Sequence, residues 1–122
     1  MGDKGYYVKP TVFADVKPEM TIAREEIFGP VLAVQKFEAF EELVEKANSS
    51  VYGLAAGVWT KDVSKAHRYA KSIKAGAVWV NCYNWYDSAV PYGGYKQSGY
   101  GREMGLQALH ALTQTKSVWV QL

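Results

Sequence analysis

The sequence is short of the residues that disulfides and structural metal sites need. Among its 122 residues there is one cysteine, Cys82, and there are two histidines, His67 and His110. A single thiol excludes an internal disulfide, and the separations of these three side chains match no compact zinc-ligand spacing. The sequence therefore predicts neither a disulfide framework nor a metal site.

An excess of charge of one sign and long apolar runs are also missing. Fourteen Lys and Arg residues stand against 12 Asp and Glu residues, so the formal net charge is only +2, too small to favour a nucleic-acid partner. The longest apolar run, Gly53 to Trp59, is far shorter than a bilayer span, and the first residues contain no hydrophobic signal core. We therefore expect a soluble chain with no nucleic-acid or membrane partner. The cytoplasm is the default compartment, and an organelle is the alternative for the parent protein.

The middle of the chain alternates between strand and helix patterns. Strand formers fill residues 31–37, an amphipathic helix pattern starts at Phe40, and residues 53–59 are apolar on both faces, as in an internal parallel strand. A second helix then follows a cap at Thr60 or Asp62, Gly76 suits a left-handed residue beyond its end, and residues 77–80 form the next strand. The sequence predicts two βαβ units and an α/β fold.

The last third of the chain is predicted to be a long loop, a helix and a strand. An aromatic and glycine-rich loop follows Asn81, and a helix is expected from Arg102 to about Leu112. Residues 117–122 alternate in the manner of a strand, although no neighbouring segment is available to pair with it. This terminal strand is expected to pair far away in the chain or with another chain.

Residue chemistry alone leaves the function open. The glycines between Gly93 and Gly101 match neither phosphate-binding fingerprint, and they fit a binding loop and an irregular loop equally well. Cys82 follows a buried strand, but no histidine lies near it by local spacing, so a buried inert thiol is favoured over a nucleophile. Taken alone, Glu26 is favoured as a solvated carboxylate and Phe28 as a core residue, rather than as a ligand clamp.

Several longer motifs resemble the NAD(P)-dependent aldehyde dehydrogenases, and specifically the carboxyl-terminal part of that family. The resemblance covers essentially the whole chain in order and spacing. The motifs that carry it are Tyr-Val-Lys-Pro-Thr-Val-Phe at residues 7–13, Glu-Glu-Ile-Phe-Gly-Pro at 25–30, Tyr-Gly-Leu-Ala at 52–55, Trp-Val-Asn-Cys-Tyr at 79–83, Pro-Tyr-Gly-Gly-Tyr-Lys-Gln-Ser-Gly at 91–99 and Gly-Arg-Glu at 101–103.

This resemblance implies two groups of site residues. Glu26 takes the place of the family's carboxylate that holds the nicotinamide ribose hydroxyls, and Phe28 that of the ring beside the nicotinamide, so NAD or NADP is the implied cofactor. Aromatic residues of the loop would line the aldehyde entrance. These residues are Tyr86 and Tyr92, with Asn84 and Trp85 close by. Because family members commonly have Phe where this chain has Tyr92, the resemblance does not indicate which aldehyde is the substrate.

The resemblance also implies what this segment does not supply. The family's nucleophilic Cys, its general-base Glu and its dinucleotide-binding domain correspond to positions upstream of Met1, and Cys82 is not the nucleophile. We expect residues 1–112 to be part of the catalytic domain and residues 113–122 to be an oligomerisation strand segment. The chain alone is expected to be inactive, and poorly soluble or associated. The alternatives are a short non-catalytic product that binds full-length dehydrogenase subunits through its terminal strand, and an incomplete gene product with no separate role.

Overall fold

The computed structural model describes residues 4–122, and the chain divides into two compact units between Ser50 and Val51. Each unit contains a pair of parallel strands. The elements of the first unit are β1 (Thr11–Phe13), α1 (Thr21–Arg24), β2 (Val31–Ala33) and α2 (Phe40–Asn48). Those of the second unit are β3 (Tyr52–Gly53), β4 (Ala55–Val58), α3 (Val63–Ser72), β5 (Ala77–Val80), β6 (Tyr95–Lys96) and α4 (Gly105–Ala111).

In the first unit β1 and β2 run parallel, with Thr11 opposite Val31. Val16 is buried, and its backbone N–H donates to the Val34 carbonyl at 3.0 Å. Helix α2 confirms the amphipathic pattern that starts at Phe40, whereas the strand predicted over residues 31–37 is shorter and ends at Ala33.

Helix α2 is held at its first turn by a side-chain bridge. The Glu42 carboxylate accepts hydrogen bonds from the Glu38 backbone N–H at 2.8 Å and from the Lys46 ammonium at 2.6 Å. Lys46 also donates to the Lys36 carbonyl, which lies before the helix. The hydrogen bond from Lys46 is the main reason that the pKa of Glu42 is lowered, and the bridge fixes where the helix begins.

The second unit contains the clearest confirmed prediction, a β4–α3–β5 unit. The two strands are parallel, with Ala55 opposite Ala77. The Asp62 carboxylate caps α3 by accepting from the Lys65 backbone N–H at 3.0 Å, as its position in the sequence predicts. The core of this unit consists of Ala66, Tyr69, Ile73 and Trp79.

The run from Gly53 to Trp59 does not form the single internal strand that its apolar character predicts. It divides at Leu54: β3 pairs antiparallel with β6, and β4 pairs with β5. Gly53, just before the division, lies so close to the Lys74 carbonyl oxygen that a Cβ there would be 2.5 Å from it. The first of the two predicted βαβ units joined the strand at residues 31–37 to the strand at 53–59. It is not formed within one sheet, because β2 pairs with β1 and β4 pairs with β5.

Gly76 is also used differently from the prediction. It is not a left-handed residue after the helix, because α3 ends at Ser72 and Ile73 is already extended, with φ −85°. Instead, Gly76 lies where the Gly93 carbonyl approaches so closely that a Cβ would collide with it. The glycine is required by close backbone approach rather than by its own torsion angles.

The end of the chain contains α4, which is shorter than the predicted helix, and no strand at residues 117–122. Val118, Trp119 and Val120 are exposed. The predicted terminal strand therefore does not form within this chain, and its pairing with another chain stays a prediction. In residues 4–122 no helix is long and apolar enough to cross a membrane.

Candidate functional site

In the first unit, Glu26 and Phe28 lie on a tight turn between α1 and β2. Phe28 has a left-handed backbone, with φ +54°, a conformation that is unfavourable for a bulky side chain. The next turn closes when the Val31 backbone N–H donates to the Gly29 carbonyl at 2.8 Å. This geometry turns the Phe28 ring outward, where it is 91% exposed.

Glu26 and Phe28 share one open cavity of about 350 Å³. Its other lining residues are Ile22, Glu25, Ile27, Gly29, Val31 and Ala33. Within residues 4–122 no cationic side chain forms an ion pair with Glu26, so its carboxylate is available to accept hydrogen bonds from a ligand. A carboxylate accepts hydrogen bonds from hydroxyl groups, and an exposed aromatic ring offers a flat apolar surface. The structure thus brings the two residues of the implied cofactor contact together.

In the second unit, four aromatic residues line the same cavity and form what we call the aromatic cluster: Trp79, Trp85, Tyr86 and Tyr92. The Trp79 indole N–H donates to the Trp85 carbonyl at 2.8 Å, which ties the loop to strand β5. The Trp79 and Tyr86 rings are perpendicular, with centroids 5.5 Å apart, and so are the Tyr86 and Tyr92 rings, at 5.0 Å. Such edge-to-face pairs favour one arrangement of the walls.

The aromatic cluster lines a second cavity, of about 370 Å³. The remaining lining residues are Gly76, Ala77, Val78, Asp87, Val90 and Pro91. Asn84 is not part of this lining. It has a left-handed backbone, with φ +56°, and its side-chain oxygen accepts a hydrogen bond from the Tyr86 hydroxyl at 3.3 Å. Three of the four predicted substrate residues, Trp85, Tyr86 and Tyr92, therefore line one cavity. The fourth, Asn84, accepts a hydrogen bond from one of them.

Hydrogen bonds of its backbone and of its side chain hold Tyr92 in place. Its backbone N–H donates to the Glu103 carbonyl, and the Glu103 N–H donates back to Tyr92, both at 2.8 Å. A hydrogen bond to the Tyr86 hydroxyl raises the pKa of Tyr92, and burial raises it further. The following loop is held by the Arg102 guanidinium, which donates to the Gly94 carbonyl at 3.0 Å. Tyr92 is therefore a firmly placed wall of the cavity.

Among the lining residues of the second cavity that have polar side-chain atoms, sequence reasoning missed Trp79 and Asp87. Trp79 belongs to a recognised motif, but its position in a strand gave no sign that its ring reaches the loop. Asp87 lies in a polar stretch of the loop, and its carboxylate accepts from the Ala89 backbone N–H at 2.8 Å. Among the described residues 4–122, no group of His, Cys, Asp and Glu side chains is able to hold a metal ion.

The structure is an α/β segment with a carboxylate and an exposed ring on one cavity and aromatic walls around another. Sequence comparison defines its family. The model of the aldehyde dehydrogenase family matches residues 1–118. The chain therefore belongs to the aldehyde dehydrogenase family.

Similar proteins match this chain over a fraction of their own length. The chain is 61% identical over 120 residues to DhaS of Bacillus subtilis (strain 168), an inferred aldehyde dehydrogenase; the match covers 98% of this chain and 24% of the relative. Human mitochondrial aldehyde dehydrogenase is 53% identical over 120 residues, with 98% and 23% covered. The NAD⁺ complex of aldehyde dehydrogenase from Bacillus cereus is similar with 56% identity and a TM-score of 0.92, covering 100% of this chain and 25% of that one. This chain thus spans about a quarter of the length of its relatives.

Proposed function

We propose that this chain is the carboxyl-terminal part of an NAD(P)-dependent aldehyde dehydrogenase, which oxidises aldehydes to carboxylic acids. The observation that carries the proposal is the placement of Glu26 and Phe28 on one open cavity, in a chain that belongs to this family. The NAD⁺ complex of the Bacillus cereus relative supports the choice of cofactor. Residues 1–112 are part of the catalytic domain, and residues 113–122 are the oligomerisation segment.

Glu26 and Phe28 bind and orient the cofactor. The carboxylate of Glu26 accepts hydrogen bonds from two ribose hydroxyls, and the outward ring of Phe28 packs against the nicotinamide. The cofactor, when bound, accepts a hydride from the substrate carbon. Because hydride transfer depends steeply on geometry, the tight turn that holds the Phe28 ring outward is a suitable support for this contact.

Trp85, Tyr86 and Tyr92 form the wall of the aldehyde pocket, with Asn84 holding the Tyr86 hydroxyl. These side chains exclude water and position the aldehyde. They contribute no nucleophile, and the half-buried Cys82 is not one. The nucleophilic Cys and general-base Glu belong to other parts of the complete subunit, so the chain alone does not oxidise aldehydes.

The test of this proposal is a chimera. This chain replaces the matching quarter of the Bacillus cereus aldehyde dehydrogenase, and NADH formation from NAD⁺ and an aldehyde is followed by absorbance. We expect the chimera to be active and the isolated chain to be inactive. A folded chimera that binds no NAD⁺ would contradict the proposal, and robust NADH formation by the isolated chain would contradict its inactivity.

The terminal segment joins subunits of the complete enzyme into a homo-oligomer. The support for this is the exposure of Val118 and Val120, which lie on one face of an extended pattern. Replacing both by Lys is expected to lower the oligomeric state of the complete enzyme, measured by light scattering. Val63→Lys, at a similarly exposed valine of α3 outside the segment, leaves it unchanged. An unchanged mass in the double variant would overturn this assignment.

The alternative is a short non-catalytic product that binds full-length dehydrogenase subunits through the same segment. The same exposed valines are its support. Capture of a full-length subunit by the 122-residue chain, lost in the Val118→Lys, Val120→Lys variant, would favour it. No capture at any concentration would remove it.

A further inference from the structure

The ring of Tyr83 packs near the point where the aromatic loop leaves strand β5. It lies against the Trp79 indole, with ring centroids 4.9 Å apart and an angle of 61° between the ring planes. Gly57 is opposite Trp79 in the β4–β5 pair, and a Cβ at Gly57 would be 3.1 Å from Cδ2 of the Tyr83 ring. The missing side chain on β4 therefore provides the space that the Tyr83 ring occupies.

Trp79 connects this contact to the aromatic cluster. Its indole N–H donates to the Trp85 carbonyl at 2.8 Å, and its ring meets the Tyr86 ring edge-on, with centroids 5.5 Å apart. Trp85 and Tyr86 both line the cavity to which Trp79 also belongs. Without the Tyr83 ring, the indole would lose an edge-to-face neighbour that favours its present orientation. A reoriented indole would then shift both Trp85 and Tyr86.

We infer that Tyr83 is a positioning residue of the aldehyde pocket: it holds the Trp79 indole, and through it the walls formed by Trp85 and Tyr86, in the arrangement that binds the aldehyde. Tyr83 does not line this cavity, so it acts through Trp79 and not by touching the substrate. The inference rests on the proposed function, which gives the cavity its role. It adds a residue that neither the resemblance nor the cavity lining identifies.

A positioning role predicts a change in the KM for the aldehyde more than in kcat. If the walls adopt the binding arrangement for a smaller fraction of the time, the apparent affinity for the aldehyde falls by that fraction. At saturation the bound aldehyde restores the arrangement, so kcat changes less. A purely structural role would instead lower the amount of folded enzyme, which reduces the maximal rate and leaves KM as it is.

The experiment uses the complete dehydrogenase subunit that contains this segment, with propanal and hexanal as the aldehydes and NADH absorbance as the readout. Tyr83→Ala removes the ring and is expected to raise the KM for the better of the two aldehydes about 3- to 10-fold. The changes in kcat and in the KM for NAD⁺ are smaller. Tyr83→Phe keeps the ring and restores the wild-type KM. Tyr100→Ala removes a fully exposed ring outside this lining and is the matched control, with an unchanged KM.

Gly57→Ala tests the same contact from strand β4. Its Cβ takes part of the space of the Tyr83 ring, so we expect the aldehyde KM to rise in this variant and not to rise further when the change is added to Tyr83→Ala. If Tyr83→Ala does not fold, Gly57→Ala alone decides, and an unchanged aldehyde KM in it overturns the inference.

Two results separate the inference from the proposed function. An unchanged aldehyde KM in Tyr83→Ala, or an increase of the same size in Tyr83→Phe, would overturn the inference while the proposed function stands. Failure of the wild-type subunit to form NADH from both aldehydes would overturn the proposed function and the inference with it.

Discussion

The side chain of Asn81 makes two hydrogen bonds to the backbone of Thr60, one in each direction. The Thr60 N–H donates to the Asn81 side-chain oxygen at 2.8 Å, and the Asn81 side-chain amide donates to the Thr60 carbonyl at 2.9 Å. The Asn81 backbone N–H also donates to the Val58 carbonyl at 2.8 Å. Asn81 thereby joins the ends of β4 and β5 at the point where the aromatic loop begins.

This clamp predicts that Asn81 controls the order of the loop. Its backbone is left-handed, with φ +55°, so Asn81→Gly removes the two hydrogen bonds but suits the backbone, whereas Asn81→Ala adds strain. Losing about 1–2 kcal/mol increases hydrogen exchange of residues 82–90 in the complete subunit roughly 5- to 30-fold, with Ala more severe than Gly. Wild-type exchange rates in both variants would show that the clamp has no such role.

Removing the charge of Glu26 is expected to weaken cofactor binding. Glu26→Gln keeps the shape but replaces charge-assisted hydrogen bonds by neutral ones, a loss of about 1 kcal/mol. The KM for NAD⁺ of the complete subunit rises about fivefold, while kcat changes less. Glu45→Gln, on the exposed face of α2, is the matched control and leaves KM unchanged. The same KM in both variants would mean that Glu26 does not contact the cofactor.

Phe28 is predicted to lower the stability of the protein while its side chain supports activity. Phe28→Gly relieves the left-handed backbone and stabilises the protein by about 0.5–1 kcal/mol, because the exposed ring contributes little burial. The thermal midpoint of the complete subunit rises while kcat falls. Phe28→Leu keeps the strain and serves as the control for side-chain loss. A lower midpoint in Phe28→Gly would contradict the assignment of strain to this position.

The buried phenol of Tyr69 predicts a pH dependence at the alkaline end. Burial raises the pKa of Tyr69 above its ordinary value of 10.0, so the folded state favours the neutral phenol. This contribution to stability is fully present below pH 10, where the unfolded phenol is also neutral, and it is lost as pH rises through the folded-state pKa. Urea unfolding from about pH 9 to about pH 11 therefore shows a decrease in stability that Tyr69→Phe reduces. The exposed Tyr100→Phe is the control; an equal decrease in both variants would contradict this reading.

The sequence predicts those parts of the fold that local patterns determine. Asp62 is an N-cap residue before an amphipathic helix, and residues 77–80 form the strand that follows, so the β4–α3–β5 unit is predicted correctly. The division at Leu54 is not predictable from local patterns, because it reflects the pairing of β3 with β6, a strand distant in the sequence. Such a contact between distant residues has no local signal.

The candidate site shows the same limit. Glu26, Phe28 and the loop aromatics are identified by a family resemblance, since residue chemistry alone favours ordinary structural roles for Glu26 and Phe28. Asp87 is missed because a single aspartate in a loop looks like any turn residue. The alternation at residues 117–122 indicates strand propensity only, because a strand also requires a partner for its backbone groups.

We expect this segment to function within a complete aldehyde dehydrogenase subunit. The most direct test is the mass of the native protein in its source cells, detected with an antibody against residues 83–100 and confirmed by mass spectrometry. Because the chain spans about a quarter of its relatives, the account predicts a species of roughly four times 13.6 kDa. A native species of 13.6 kDa alone would contradict it and favour the short non-catalytic product.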